Sequence, residues 1–183
     1  VIVNRKKSGE PFSAQQSISP IRNETGNISH FVSVLRDVTD LLKGKEREMQ
    51  MQLAREIQER FYGAAVSLPG YDIAGATVQM EEVGGDYFDF IPMAGGCLGI
   101  VVADVTGHGF GAALVMAETR AYLRALSGQV ADLGEILTRI NRSLADDLPK
   151  NRFVTLFMAK LNPSERTMVY ASAGHVPGIL VDG

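Results

Sequence analysis

Cysteine is scarce in this chain, and basic residues are outnumbered by acidic ones. One cysteine, Cys97, among 183 residues excludes an internal disulfide framework and a thiolate metal cluster. It sits in an apolar run and reads as a small core residue. Asp and Glu number 21 against 18 Lys and Arg, for a net charge of -3 and a pI near 5.6. That balance argues against a nucleic-acid binder, which carries a basic face. No apolar run approaches the roughly 20 residues that span a bilayer, and Val1-Ile2-Val3-Asn4-Arg5-Lys6-Lys7 lacks the order of a signal peptide. An initiator methionine is also missing, and the chain stops at Asp182-Gly183, a turn-like dipeptide after a strand-like run. The expectation is an internal piece of a longer cytoplasmic protein. What the chain does have is a hydrophobic content of 45%, enough for a packed core.

Residues 1–40 read as β-structure, with strand-like runs over 12–21 and 28–37 joined by Asn23-Glu24-Thr25-Gly26-Asn27, which has strong turn chemistry. A hairpin of this size buries too little to stand alone. Lys7-Ser8-Gly9, the Ser17-Ile18-Ser19-Pro20-Ile21 strand, Gly26 and above all Arg36-Asp37-Val38-Thr39-Asp40 resemble the C-terminal half of a PAS sensory domain and its exit into a signalling helix. Residues 41–62 then form a helical linker, with Leu42, Met49, Leu53, Ile57 and Phe61 in an apolar stripe. That stripe suits either a twin helix in a homodimer or packing on its own domain.

Beyond Pro69-Gly70, strands are expected over 71–80, 86–92 and 99–104. A buried helix over 112–126 follows, then an amphipathic one over 132–148 with Leu133, Ile136, Leu137, Ile140, Leu144 and Leu148 on one face. Asp132 and Glu135 stand at capping-box spacing. Strands over 153–161 and 167–173 close the pattern. Strands, then helices, then strands imply an α+β fold rather than parallel βαβ units.

The chemistry concentrates at two places. Asp104 ends the apolar run Leu98–Ala103 and opens the turn Val105-Thr106-Gly107-His108-Gly109-Phe110-Gly111. A carboxylate on a rigid strand, with the Val105 carbonyl beside it, suits a hard ion such as Mg²⁺ or Mn²⁺. A helix starting near Gly111 would aim its N-terminus at a phosphate there. The second place is Val83-Gly84-Gly85-Asp86-Tyr87-Phe88-Asp89-Phe90. In an extended stretch Asp86 and Asp89 point to opposite faces. Gly84-Gly85 gives Asp86 room at a metal, whereas Asp89 reads as a structural partner and Glu81 and Glu82 as solvated. His108 and His175 read as turn or hydrogen-bonding residues, and His30 has no partner in sight.

Glu82-Val83-Gly84-Gly85-Asp86-Tyr87-Phe88-Asp89, Ala103-Asp104-Val105-Thr106-Gly107-His108-Gly109 and Ala171-Ser172-Ala173-Gly174-His175-Val176-Pro177 are similar to three successive motifs of the SpoIIE/RsbU-type PP2C-like phosphatases. Ala54-Arg55-Glu56-Ile57-Gln58 resembles the helix that precedes that domain. The resemblance implies a partial α-β-β-α sandwich over 63–183 and a serine/threonine phosphatase with a two-metal centre of Mn²⁺ or Mg²⁺. In it Asp104 would bridge both ions, Val105 would offer its carbonyl and Asp86 would hold one ion, while metal-activated water attacks phosphorus. Family substrates are phosphorylated STAS-type anti-sigma antagonists of bacterial partner-switching pathways. The family's later metal-binding aspartates are missing from this chain, so the isolated piece should be inactive. Phe61-Tyr62-Gly63 also departs from the usual Leu-Leu-Pro. A PAS-linked histidine kinase and a non-catalytic pseudophosphatase or dimerisation module are the rival readings. Against the kinase, no histidine lies on the linker helix.

Overall fold

The computed structural model describes residues 1–63, 66–78 and 83–181. The chain divides into two compact units, Val1–Gln50 and Met51–Gly183.

The first unit is an antiparallel sheet of β1 (Ile2–Arg5), β2 (Pro11–Arg22) and β3 (Ile28–Asp37), in that order. The 23–27 turn forms as its residues dictate. The Asn23 carboxamide oxygen accepts from the backbone N–H of Thr25 at 3.2 Å and of Asn27 at 2.9 Å, and Gly26 takes a positive φ of 83°. β1 is a strand that the sequence pattern did not announce, because its four residues carry no alternation. Ala14 and Val38 are the buried apolar residues of this unit. Helix α1 (Thr39–Glu59) begins where Asp37 accepts from the Thr39 N–H at 3.0 Å. Those bonds hold the exposed Asp37 carboxyl below its ordinary range, the Thr39 hydroxyl contributing most.

The second unit is built on a four-stranded antiparallel sheet, β4 (Tyr87–Pro92), β5 (Leu98–Val105), β6 (Val154–Asn162) and β7 (Thr167–Ala173), in sequence order. Helices α2 (Phe110–Ser127) and α3 (Leu133–Asp147) cover one face. The alternation of β5 makes this possible: Val101, Ala103 and Val105 are buried beneath the helices, while Val102 and Asp104 are exposed on the other side. Met116 and Leu123 of α2, Ile136 of α3 and Met158 of β6 are essentially fully buried, each worth about 1.5–3 kcal/mol of transfer free energy. The α3 stripe read from the sequence is the buried one, and its Asp132 cap accepts from the Glu135 N–H at 2.7 Å. Cys97 is buried in this core.

One expected element is absent. Residues 71–78 form no strand, and residues 79–82 lie outside the described residues, Glu81 and Glu82 among them. Pro69-Gly70 does turn the chain, with Tyr71 N–H bonding to the Leu68 carbonyl at 3.0 Å. Past that turn, however, the segment crosses the helix-free face as an irregular strap. Its Val66, Leu68, Tyr71 and Ile73 pack on Phe90, Leu98 and Leu161. Side-chain burial, not ladder hydrogen bonding, produced the apolar pattern that resembled a strand. The described residues of this unit therefore supply one sheet and one helical layer of the α+β arrangement.

Candidate active site

Register assembles the site. β4 and β5 pair Tyr87 with Ala103, and one step further sets Asp86 opposite Asp104. β5 and β6 pair Asp104 with Thr155. β6 and β7 pair Phe157 with Ser172, and two steps outward lie Thr155 and Gly174, just before His175. Residues directly opposite in antiparallel strands share a face, with Cβ atoms about 4.5–5.5 Å apart. Asp86, Asp104 and Thr155 consequently form a row across one end of the sheet, on the face without helices, and His175, past the positive-φ Gly174, joins it with Nδ1 2.8 Å from the Thr155 hydroxyl oxygen. They line a cleft of about 630 Å³, walled also by Ala76–Val78 of the strap, Phe88, Val102 and Val176.

The two carboxylates feel each other. Partial burial, then the charge of Asp104 and a hydrogen bond with it, hold the Asp86 carboxyl above the ordinary carboxylate range, and His175 pulls the other way. Like charges at close quarters are the arrangement that a divalent cation relieves. Hard oxygen donors in an open cleft fit such an ion. Among the described residues, however, no group of three or more His, Cys, Asp or Glu could hold one, so the pair fits as part of a larger ligand set. Val105 is buried one residue beyond Asp104 and does not line the cleft. A Cβ at Gly85 would lie 2.7 Å from the Val105 carbonyl oxygen, so only glycine lets the Asp86 segment pass this close.

Asp89 is placed differently. It is fully buried, accepts from the Arg124 guanidinium through both oxygens at 2.7 Å, and takes the Tyr87 hydroxyl at 2.5 Å. Burial first, and then this bond to Asp89, push the Tyr87 phenol well above its usual range, so it stays a donor. The group stitches β4 to α2, and neither Asp89 nor Arg124 lines the cleft.

The N-terminus of α2 does not serve the cleft, contrary to expectation. The helix begins at Phe110 on the opposite face of the sheet from the Asp104 side chain, and Gly111 packs against the Arg152 guanidinium. His108 is exposed in the glycine turn and does not line the cleft.

Gln58 and Tyr62 stand in segments that the sequence singles out, yet nothing in those segments gave them a role at the site. Gln58, buried at the end of α1, grips Gly84 from both sides: its amide donates to the Gly84 carbonyl at 2.6 Å and its carbonyl accepts the Gly84 N–H at 3.1 Å. Tyr62 stacks on Phe88 with centroids 5.5 Å apart, and its hydroxyl donates to the Asp86 carbonyl at 3.2 Å. Together they fix the backbone on which Asp86 rides. The unusual Phe61-Tyr62-Gly63 junction has a local reason. Arg120 lies 4.8 Å over the Phe61 ring, and a Cβ at Gly63 would come within 2.9 Å of Phe90. Thr155 had no signal at all, since it lies 51 residues from Asp104 and only the β5–β6 register brings it in.

Residues 94–183 match the family model of the stage II sporulation protein E, SpoIIE. The chain is 29% identical over 140 residues to the phosphoserine phosphatase RsbU of Bacillus subtilis, covering 75% of this chain and 42% of that protein. A shorter stretch of 51 residues is 49% identical to a blue-light-activated histidine kinase of Brucella anthropi, 28% of this chain and 10% of the kinase. Among solved structures, the RsbU and RsbW domains of a Mycobacterium tuberculosis protein align with a TM-score of 0.46 at 32% identity, over 54% of this chain and 27% of that one. The chain thus spans less than half the length of the curated relatives it matches. Through this segment it is similar to the SpoIIE and RsbU phosphatases. No helix among the described residues is long and apolar enough to cross a membrane.

Proposed function

We propose that the protein hydrolyses phosphoserine or phosphothreonine on a small STAS-type antagonist protein in the cytoplasm, using Mn²⁺ or Mg²⁺ held by Asp86 and Asp104. The observation that carries this reading is the cleft in which those two carboxylates stand opposite each other on adjacent strands. A divalent cation bound there supplies an activated water and neutralises phosphoryl charge. Asp104, on an inner strand of the sheet, gives a fixed anchor. Asp86 is held in place through the Gln58 and Tyr62 contacts to its backbone. Val105 would add its carbonyl, and further oxygen donors would complete a two-ion centre.

Residues 1–40 act in this reading as the end of a PAS sensor, 41–62 as a signalling linker and 63–183 as the start of the phosphatase domain. Leu42, Met49, Leu53 and Ile57 are exposed along α1, which supports pairing of two linker helices in a homodimer. The short likeness to a histidine kinase favours a signalling segment shared between proteins of different output. A kinase output is disfavoured, because His30, His108 and His175 all lie off α1. The test is release of phosphate from a phosphorylated STAS-type protein by the full-length protein with Mn²⁺. Asp104→Ala should abolish turnover while leaving the unfolding midpoint nearly unchanged. Undiminished turnover would remove Asp104 from the mechanism.

A further inference from the structure

The cleft holds two carboxylates but, among the described residues, no lysine or arginine lines it. A phosphoryl group entering it can take a hydrogen-bond donor besides any cation, and His175 is the one nitrogen-bearing side chain in the described lining. The imidazole is half-buried and tied down: its Nδ1 lies 2.8 Å from the Thr155 hydroxyl oxygen. Its own backbone carbonyl accepts from the Ser172 hydroxyl at 3.3 Å, and Gly174 before it turns the chain with a φ of 69°.

The Thr155 hydroxyl oxygen lies 2.8 Å from His175 Nδ1 and 3.4 Å from the Asp104 carbonyl. Hydrogen bonds weaken steeply toward 3.5 Å, so the shorter contact, to Nδ1, is the one that orients the ring. Where the hydroxyl donates to Nδ1, a neutral imidazole carries its hydrogen on Nε2. We propose that His175 is a phosphate-positioning residue: its Nε2–H, set by Thr155, donates to a phosphoryl oxygen of a phosphomonoester lying against Asp86 and Asp104. This rests on the phosphatase reading and adds to it the residue that holds the substrate's phosphate.

The experiment uses ¹⁵N-labelled full-length protein with diamagnetic Mg²⁺, and reads the imidazole nitrogens by NMR while inorganic phosphate is added. His175→Gln serves to assign the resonances. The expected result is an unprotonated Nδ1, a protonated Nε2, and an Nε2 shift that saturates with phosphate. In kinetics, His175→Phe should raise both KM and the inhibition constant for phosphate roughly tenfold or more, as expected for a bond to a charged acceptor. The change in kcat should be smaller. His175→Gln, whose amide nitrogen can stand where Nε2 was, should recover most of the loss. Thr155→Val should weaken phosphate binding with the imidazole still present. A proton on Nδ1, or phosphate inhibition unchanged in His175→Phe, would overturn the assignment even if Asp104→Ala abolishes turnover as required. Retained turnover in Asp104→Ala would instead overturn the underlying reading.

Discussion

The Asp89–Arg124 pair makes an asymmetric prediction. Breaking a buried ion pair by removing one partner costs about 3–5 kcal/mol, because the other charge is stranded. Here the two partners are unequal: the Asp89 side chain is 0% exposed and that of Arg124 41%. Asp89→Asn frees a guanidinium that can turn to water, and the new carboxamide oxygen can still accept from Tyr87. The expected loss is therefore about 2–3 kcal/mol. Arg124→Met leaves an anion under the helices, supported by the Tyr87 hydroxyl and the Phe90 N–H at 2.9 Å. It should cost more, about 3–5 kcal/mol. The double variant should be milder than the sum of the two, with a coupling of about 1–3 kcal/mol. The chain has no tryptophan, so urea unfolding would be followed by far-UV circular dichroism, with hydrogen exchange at β4 amides assigning the transition to this unit. An Arg124→Met variant more stable than Asp89→Asn, or both losses below about 1 kcal/mol, would refute the claim that burial sets the cost.

The remaining predictions concern the backbone under Asp86. Because the Asp86 carboxyl is held above its ordinary range, the folded state binds that proton more tightly than the unfolded one. The contribution of Asp86 to the stability of the metal-free protein should then be greatest below the ordinary carboxylate range and fall as pH rises through the raised value. Urea midpoints in chelator should show this slope in the wild type and lose it in Asp86→Asn. Gln58→Ala leaves the Gly84 N–H and carbonyl without their clamp, a loss of about 2–3 kcal/mol. Phosphate release by the full-length protein should fall with it, and unchanged turnover would show that Asp86 holds its place unaided. Gly85→Ala would drive a Cβ to 2.8 Å from that of Val105. It should cost about 1–3 kcal/mol, measured as a lower melting temperature.

The helical layer and its sheet were readable because their signals are periodic. The α3 stripe, the β5 run and the turn at 23–27 each carry a local pattern that the three-dimensional structure repeats. The 71–78 strap was misread because its apolar residues answer to the sheet beneath them and not to a neighbouring strand. Asp86 and Asp104 were legible as strand-end carboxylates beside glycine. The direction of the α2 N-terminus was not, since it depends on which face of β5 the helix covers. Gln58 was legible only as part of a motif, for nothing in the local sequence says that its amide reaches Gly84, 26 residues away.

The turn between β4 and β5 is short: Ala94, Gly95 and Gly96, with both glycines at positive φ near 70°. Strand faces alternate residue by residue, so one extra amino acid at that hairpin tip, absorbed as a slip of β5, would exchange inside for outside along the strand. Asp104 would then point into the apolar layer under the helices, and Val105 would look out on the cleft. The length of a distant connection thus governs the candidate site as firmly as the identity of its acids does.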